Sequence, residues 1–328
     1  MSDDKNTENT DSQFPGNPAW EHVLLEKAVL ASVNEQRASR RWKITLRAIY
    51  LLFLALIVGR LVIFSGDRPA AGTRHTALVS LEGEIAANSQ ASAEKIIDAL
   101  NLAFSSQNAA GVILRINSPG GSPVQSDMIY REIRRLRALH PDKLLYAVAE
   151  DLCASGGYYI ASAADKIFVN RASIVGSIGV RMDNFGLTRL MDKLGVERRL
   201  ITAGENKGFY DPFSPEAPRQ KEHAKKMLAQ IHRQFINAVR QGRGKRLKET
   251  PDIFSGLFWT GEYSVVLGLA DGFGDVNYVA RELFKAKDII DYTTKESIAD
   301  RLARKLGLAA SVAAVHILGL SVFPAIKN

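Results

Sequence analysis

From residue 78 to about 242, short apolar runs alternate with stretches of helical periodicity, and nothing else in the sequence restricts the fold as much. The runs at 78–85, 111–116, 144–149 and 166–169 have the length and the Val, Ile and Leu content of strands, and 197–202 reads as a further short one. Helical patterns cover 91–105, 124–139, 155–164, 185–194 and 215–242, the last opening on a proline, as first helical turns often do. Strands separated in this way imply βαβ units, so the chain is predicted to be α/β with a largely parallel sheet. No internal repeat of fixed period is present.

Upstream of this region the composition changes twice. Residues 1–18 are polar and acidic, too poor in apolar surface to offset the entropy of ordering, and are expected to be disordered. Residues 44–64 (ITLRAIYLLFLALIVGRLVIF) would span roughly 31 Å as a helix, which matches a hydrocarbon core. Arg47 and Arg60 interrupt the segment, each close enough to an end for its side chain to snorkel. A buried core helix is the plainer alternative. A cleaved signal peptide fits poorly, because the segment starts far from the N-terminus and no clear A-x-A site follows. Arg37, Arg40, Arg41, Lys43 and Arg47 precede or enter the span, against a roughly balanced Asp67, Arg68 and Arg74 beyond it. The positive-inside rule then gives a cytoplasmic tail at 1–43, one transmembrane helix at 44–64, a linker at 65–76 and a folded domain at 77–305 outside the cytoplasm. In a two-membrane bacterium that domain faces the periplasm. An apolar tail at 306–328 closes the sequence; Gly307, Gly319 and Pro324 favour docking over a regular span.

The charge of +8 raises a nucleic-acid or anionic-membrane reading. Much of the excess lies at 37–47, beside the apolar segment, and at 219–248, where it reads as the solvated face of a helix. Neither cluster comes with an aromatic platform or zinc-finger spacing, so no nucleic-acid partner is expected. Cys153 is the only cysteine, which rules out an intrachain disulfide. His22, His75, His140, His223, His232 and His316 are scattered without metal-ligand spacing, so neither a metal nor a cofactor is expected.

Two glycine-bearing strand-to-helix turns carry the chemistry. Asn117-Ser118-Pro119-Gly120-Gly121-Ser122 follows the run at 111–116, and paired glycines there leave amides free to point into a site. A tight connection would use the same residues. In Asp151-Leu152-Cys153-Ala154-Ser155-Gly156-Gly157 a serine crowded by small residues ends such a turn, by the logic of a nucleophile elbow. A simple helix N-cap at Ser155 fits the spacing equally well. A nucleophile also needs a base. No histidine occupies a matched loop, and Lys207, in Ala203-Gly204-Glu205-Asn206-Lys207, would ordinarily be a solvated surface charge.

The segments NSPGGS (117–122), ASGGYY (154–159), GSIGV (176–180), AGENK (203–207) and WTGEYSVVLGLADG (259–272) together, in this order, resemble the short, single-module form of the signal peptide peptidase A family. The likeness covers about 75–300. It implies a ClpP/crotonase-like βαβ spiral behind an N-terminal membrane anchor. It also implies Ser155 as nucleophile, Lys207 as general base and Ser177 as the residue that orients the lysine. Gly156 would be one oxyanion donor, and Gly121, with Gly120 next to it, the other. Cys153 departs from the apolar residue more usual there and reads as packing.

The resemblance further implies a serine endopeptidase acting on apolar peptides, chiefly remnant signal peptides, at the inner membrane. A homo-oligomer, an octamer for the short form, would enclose the substrate. Neighbouring subunits can share the dyad, although one chain is expected to supply both members in short forms. A crotonase-type acyl-CoA protein and an inactive membrane scaffold are the competing readings. The first would need an adenine-phosphate site, and the Ser155/Lys207 pair and the anchor count against it; the second has no reason to keep Ser155, Ser177 and Lys207.

Overall fold

The apolar runs become strands because both of their faces are covered. The computed structural model describes residues 42–53, 55–56 and 73–294, and the chain divides into two compact units, Met1–Asp67 and Arg68–Asn328. In the first unit residues 42–53 form a helix, α1, whose large apolar side chains, Trp42, Ile49 and Phe53 among them, are exposed. Among the described residues no helix is long and apolar enough to cross a membrane. The span expected at 44–64 lies partly outside the described residues, as do the tail before 42, most of the 65–76 linker and the apolar C-terminus.

The second unit runs β1 (His75–Glu82), α2 (Ala93–Ser105), β2 (Ala109–Ser118), α3 (Pro123–Leu139), β3 (Leu145–Ala154), α4 (Gly156–Ala161), β4 (Lys166–Val169) and β5 (Ile174–Gly176). It continues through α5 (Thr188–Leu194), α6 (Pro218–Arg243), β6 (Phe258–Thr260), α7 (Gly261–Val266), β7 (Gly272–Phe273), α8 (Val276–Tyr278) and β8 (Ile289–Asp291). The eight strands form one sheet, ordered β6-β5-β3-β2-β1-β8, with β4 on β3 and β7 on β4; only the β5–β6 pair is antiparallel. The unit is thus an α/β domain with a mostly parallel sheet.

Period-two alternation sends Val79 and Leu81 of β1, Val112, Leu114 and Ile116 of β2, and Leu145 and Ala147 of β3 into one core, with α2, α3, α4 and α6. The opposite face places Leu78, Ile113, Tyr146 and Val148 in a second core with Phe168, Val279 and Phe284. Sheets covered on both sides read as continuous apolar runs, which is why these strands were visible in the sequence.

β3 is the strand that positions the site. Its first half pairs with β4 (Tyr146 with Lys166 through Ala149 with Val169), and its end changes partner to β5 (Leu152 with Ile174, Ala154 with Gly176). The fork lets β3 continue through polar Glu150 and Asp151 to Ala154, five residues past the end of its apolar run. α6 is anchored at its C-terminal end, where the buried Arg243 donates to the Gly268 carbonyl (2.9 Å) and pairs with Asp271 (2.8 Å). Phe235, midway along α6, packs on Tyr159 of α4 at 4.9 Å between ring centroids.

One predicted strand is absent. Residues 197–202 have no regular structure, and Leu200 and Ile201 are exposed, because no neighbouring strand is available to pair with this stretch. The helix expected from 185 starts only at Thr188 and buries none of its side chains.

Candidate active site

Ser155 joins the end of β3 to the start of α4, with φ 52° and ψ −122°, a conformation that non-glycine residues rarely adopt. Its N–H donates to the Gly176 carbonyl (2.8 Å), and its own carbonyl accepts from the Tyr159 N–H (2.9 Å). The residue occupies the N-cap position, yet its side chain caps nothing. The N-cap role that spacing alone allowed is therefore not filled, and the half-buried hydroxyl is left for other chemistry.

The 118–122 turn is folded against this serine. Gly120 (φ 100°) lies so close that a Cβ there would stand 2.7 Å from both the Gly156 nitrogen and the Ser155 Cβ. The Gly120 N–H is engaged by the Ser118 hydroxyl (3.1 Å), which itself donates to the Gly83 carbonyl (2.6 Å). Gly121 (φ 149°) is held differently. Ile85 donates to the Gly120 carbonyl and accepts from the Ser122 N–H, each at 2.8 Å, so the Gly121 N–H between them has no backbone acceptor among the described residues. The Gly156 N–H, at the first position of α4, likewise has no acceptor within its helix. The Gly121 nitrogen stands 3.3 Å from where a Cβ on Gly156 would be, so the two unengaged amides are neighbours beside Ser155.

Ser177 follows β5 directly, with φ 51°; its N–H donates to the Leu257 carbonyl (2.8 Å), and its carbonyl accepts from the Gly179 N–H (2.9 Å). Ser155, Ser177, Gly156, Gly121 and Gly120 all line one cavity of about 920 Å³. Its further walls include Ile231, His232 and Phe235 of α6, Tyr159 of α4 and Asp127 of α3. Tyr159 donates to the Asp127 carboxylate (2.9 Å), and burial followed by that bond holds its phenol well above the usual value. The His232 Nε2 lies 3.0 Å from the Ile178 carbonyl. Sequence reasoning missed Asp127, Tyr159 and His232 as cavity residues. The four-residue spacing of Ile231 and Phe235 could have suggested a shared face of α6, but not what that face would meet.

Lys207 is not in this cavity. It sits on an exposed turn with its N–H on the Gly204 carbonyl (3.0 Å). Ser155 and Lys207 of one chain therefore do not line the same cavity. Cys153, two residues before Ser155, is fully buried, and burial pushes its thiol up to about 12, so it packs as an apolar side chain. No cluster of His, Cys, Asp or Glu side chains able to hold a metal occurs among the described residues.

Residues 137–289, which include Ser155, Ser177 and Lys207, match peptidase family S49. The chain thus carries a domain of that family. A chloroplastic serine protease SPPA from Arabidopsis thaliana is 30% identical over 186 residues, 56% of this chain and 27% of that protein. Protease 4 of Haemophilus influenzae is 27% identical over 228 residues, 68% of this chain and 36% of that protein. A Brucella melitensis protein named Na(+)/H(+) antiporter NhaA is 48% identical over 188 residues, 57% of this chain but 25% of that protein. Its name describes a chain most of which has no counterpart in the match. This chain spans less than two thirds of the length of each of these relatives. Four of the five segments behind the signal peptide peptidase A resemblance, 154–159, 176–180, 203–207 and 259–272, fall within that match.

Proposed function

We propose that the chain is a serine endopeptidase of the signal peptide peptidase A type, anchored to the membrane through residues 44–64. One observation carries the reading: the Ser155 hydroxyl, released from helix capping, stands beside two unengaged amides, Gly121 and Gly156, at the wall of a cavity. Amides so placed stabilise charge as it develops on a tetrahedral intermediate, a contribution of roughly 2.7–4 kcal/mol per donor. The Gly120 amide is spent on Ser118, which favours Gly121 as the second donor.

In this reading Ser155 Oγ attacks the scissile carbonyl while a neutral Lys207 takes the hydroxyl proton. The protonated lysine next gives that proton to the leaving amine, and water hydrolyses the acyl-enzyme. Ser177 orients the lysine. The exposed position of Lys207 supports a site completed by the lysine of a neighbouring copy. The segment around it carries apolar side chains that an adjoining subunit would cover, Phe185 at 78%, Leu194 at 68% and Ile201 at 96% exposure. A homo-oligomer on a ClpP/crotonase-like frame follows, with the domain on the periplasmic side. The apolar Ile231 and Phe235 support apolar peptides as substrates, remnant signal peptides chief among them.

The test is cleavage of a fluorogenic apolar peptide by the detergent-extracted full chain, compared with Ser155→Ala and Lys207→Ala. Both variants should lose at least ~10³-fold in rate with melting and oligomer size unchanged. Survival of activity in either variant would overturn the dyad and reopen the acyl-CoA reading.

A further inference from the structure

The wall that α6 gives to the cavity is apolar at Ile231 and Phe235, but His232 between them is bonded to the backbone of the neighbouring loop. Its Nε2 lies 3.0 Å from the Ile178 carbonyl, and a carbonyl only accepts, so Nε2 carries the proton. Ile178 is the residue after Ser177. The two belong to a tight turn closed by the Gly179 N–H on the Ser177 carbonyl, and Ser177 itself takes φ 51°. A residue in such a conformation stays there only when its surroundings hold it. Three ties do so. The Ser177 N–H is fixed by Leu257, the Ile178 side chain is wholly buried, and the Ile178 carbonyl is fixed by His232. Of these, only the last comes from a residue outside the turn that itself lines the cavity.

We propose that His232 is a positioning residue for the reaction at Ser155: by donating to the Ile178 carbonyl it locks the turn that keeps Ser177 in the cavity wall. This rests on the serine peptidase reading above. The role belongs to the Nε2 donor rather than to the ring as such. Glutamine, whose amide nitrogen reaches about as far as Nε2, can replace it, whereas leucine cannot, and asparagine is too short.

The experiment uses the full chain with His232→Leu, His232→Gln, His232→Asn, Ser177→Ala, the His232→Leu/Ser177→Ala pair and Ser155→Ala. Active serines are titrated with a fluorophosphonate probe, and peptide turnover is expressed per titrated serine. We expect His232→Leu to lower kcat about tenfold, the scale of one lost hydrogen bond, with KM changed less than about twofold. His232→Gln should recover most of the rate and His232→Asn should not. The double variant should fall no further than Ser177→Ala alone, because both changes act through one turn. A merely structural role would lower the titratable fraction and leave kcat per serine unchanged. If His232→Leu fails to fold, the contrast between Gln and Asn decides, and equal rates in those two would overturn the proposal. So would a double variant whose losses multiply. Turnover in the parent chain that survives Ser155→Ala would instead overturn the peptidase reading, and this assignment with it.

Discussion

Ser155 and Ser177 follow two residues paired in register on adjacent parallel strands, Ala154 with Gly176, and both serines take nearly the same positive φ, 52° and 51°. The Ser155 N–H on the Gly176 carbonyl ties one turn directly to the other strand's end. Two strained serines side by side at the carboxyl ends of a parallel sheet are a cost of roughly 1–3 kcal/mol each that the fold tolerates. Glycine adopts this φ without strain, whereas alanine does not. Ser155→Gly is therefore expected to melt above Ser155→Ala, and both should be inactive; equal melting temperatures would show that the turn is not strained. Ser177→Ala should retain Ser155 labelling but turn over peptide about 10–100-fold more slowly.

Gly156 packs against Ser126 of α3, so that a Cβ on Gly156 would collide with the Ser126 hydroxyl, itself bonded to the Ser122 carbonyl (2.9 Å). Overpacking a buried contact of this kind costs about 1–3 kcal/mol. In urea titrations Gly156→Ala should be destabilised by that amount, and adding Ser126→Ala should recover at least half. Additive losses would mean that the clash is not the cause.

Asp271 ties the end of α6 to the sheet. Burial works against its charged form, but the bond to Arg243, the Ile167 N–H (2.7 Å) and Arg246 (3.1 Å) outweigh that, and the net effect is a carboxyl held below its usual value. A carboxylate depressed in the folded state adds stability that is complete above its unfolded value, about pH 4, and lost as pH falls through the folded one. The parent chain should accordingly lose stability on acidification below about pH 4, and Asp271→Asn should flatten that dependence. At neutral pH the variant leaves Arg243 buried and unpaired, which should cost about 3–5 kcal/mol in denaturant unfolding. A loss below 1 kcal/mol would contradict this account of the pair.

Strands covered on both faces were legible because burial writes itself as an apolar run; β2 and β3 were read that way, although too short. Their ends at Ser118 and Ala154 were not visible, because Ser118 is held by a shift of register against β3 and Ala154 by a change of partner to β5, and apolar content records neither. The 197–202 stretch shows the converse, strand-like residues with no strand to pair with. At the site, Ser155 and the two glycine turns stood out through local chemistry. The cavity positions of Asp127, Tyr159 and His232 arise from α3, α4 and α6 meeting in space, and no spacing rule in a single sequence records that meeting. Ser177 and Lys207 were reached only through family resemblance.

The two members of the proposed dyad differ in place, Ser155 in the cavity and Lys207 on an exposed turn, and this difference predicts a specific mixing result. If each site takes Ser155 from one copy and Lys207 from the next, a Ser155→Ala subunit still offers a working lysine and a Lys207→Ala subunit still offers a working serine. Each variant alone forms only dead sites. Dissociated and reassembled together in equal amounts, they place an intact serine beside an intact lysine at about one junction in four, as random pairing requires. Peptidase activity should then return to roughly a quarter of the parent value, and a fluorophosphonate probe should label only the Lys207→Ala subunits, at a rate restored by mixing. If the dyad forms within one chain, every mixed assembly stays inactive at all ratios. Exchange of subunits, followed by differently tagged copies co-purifying, is the control that separates this outcome from a failure to mix.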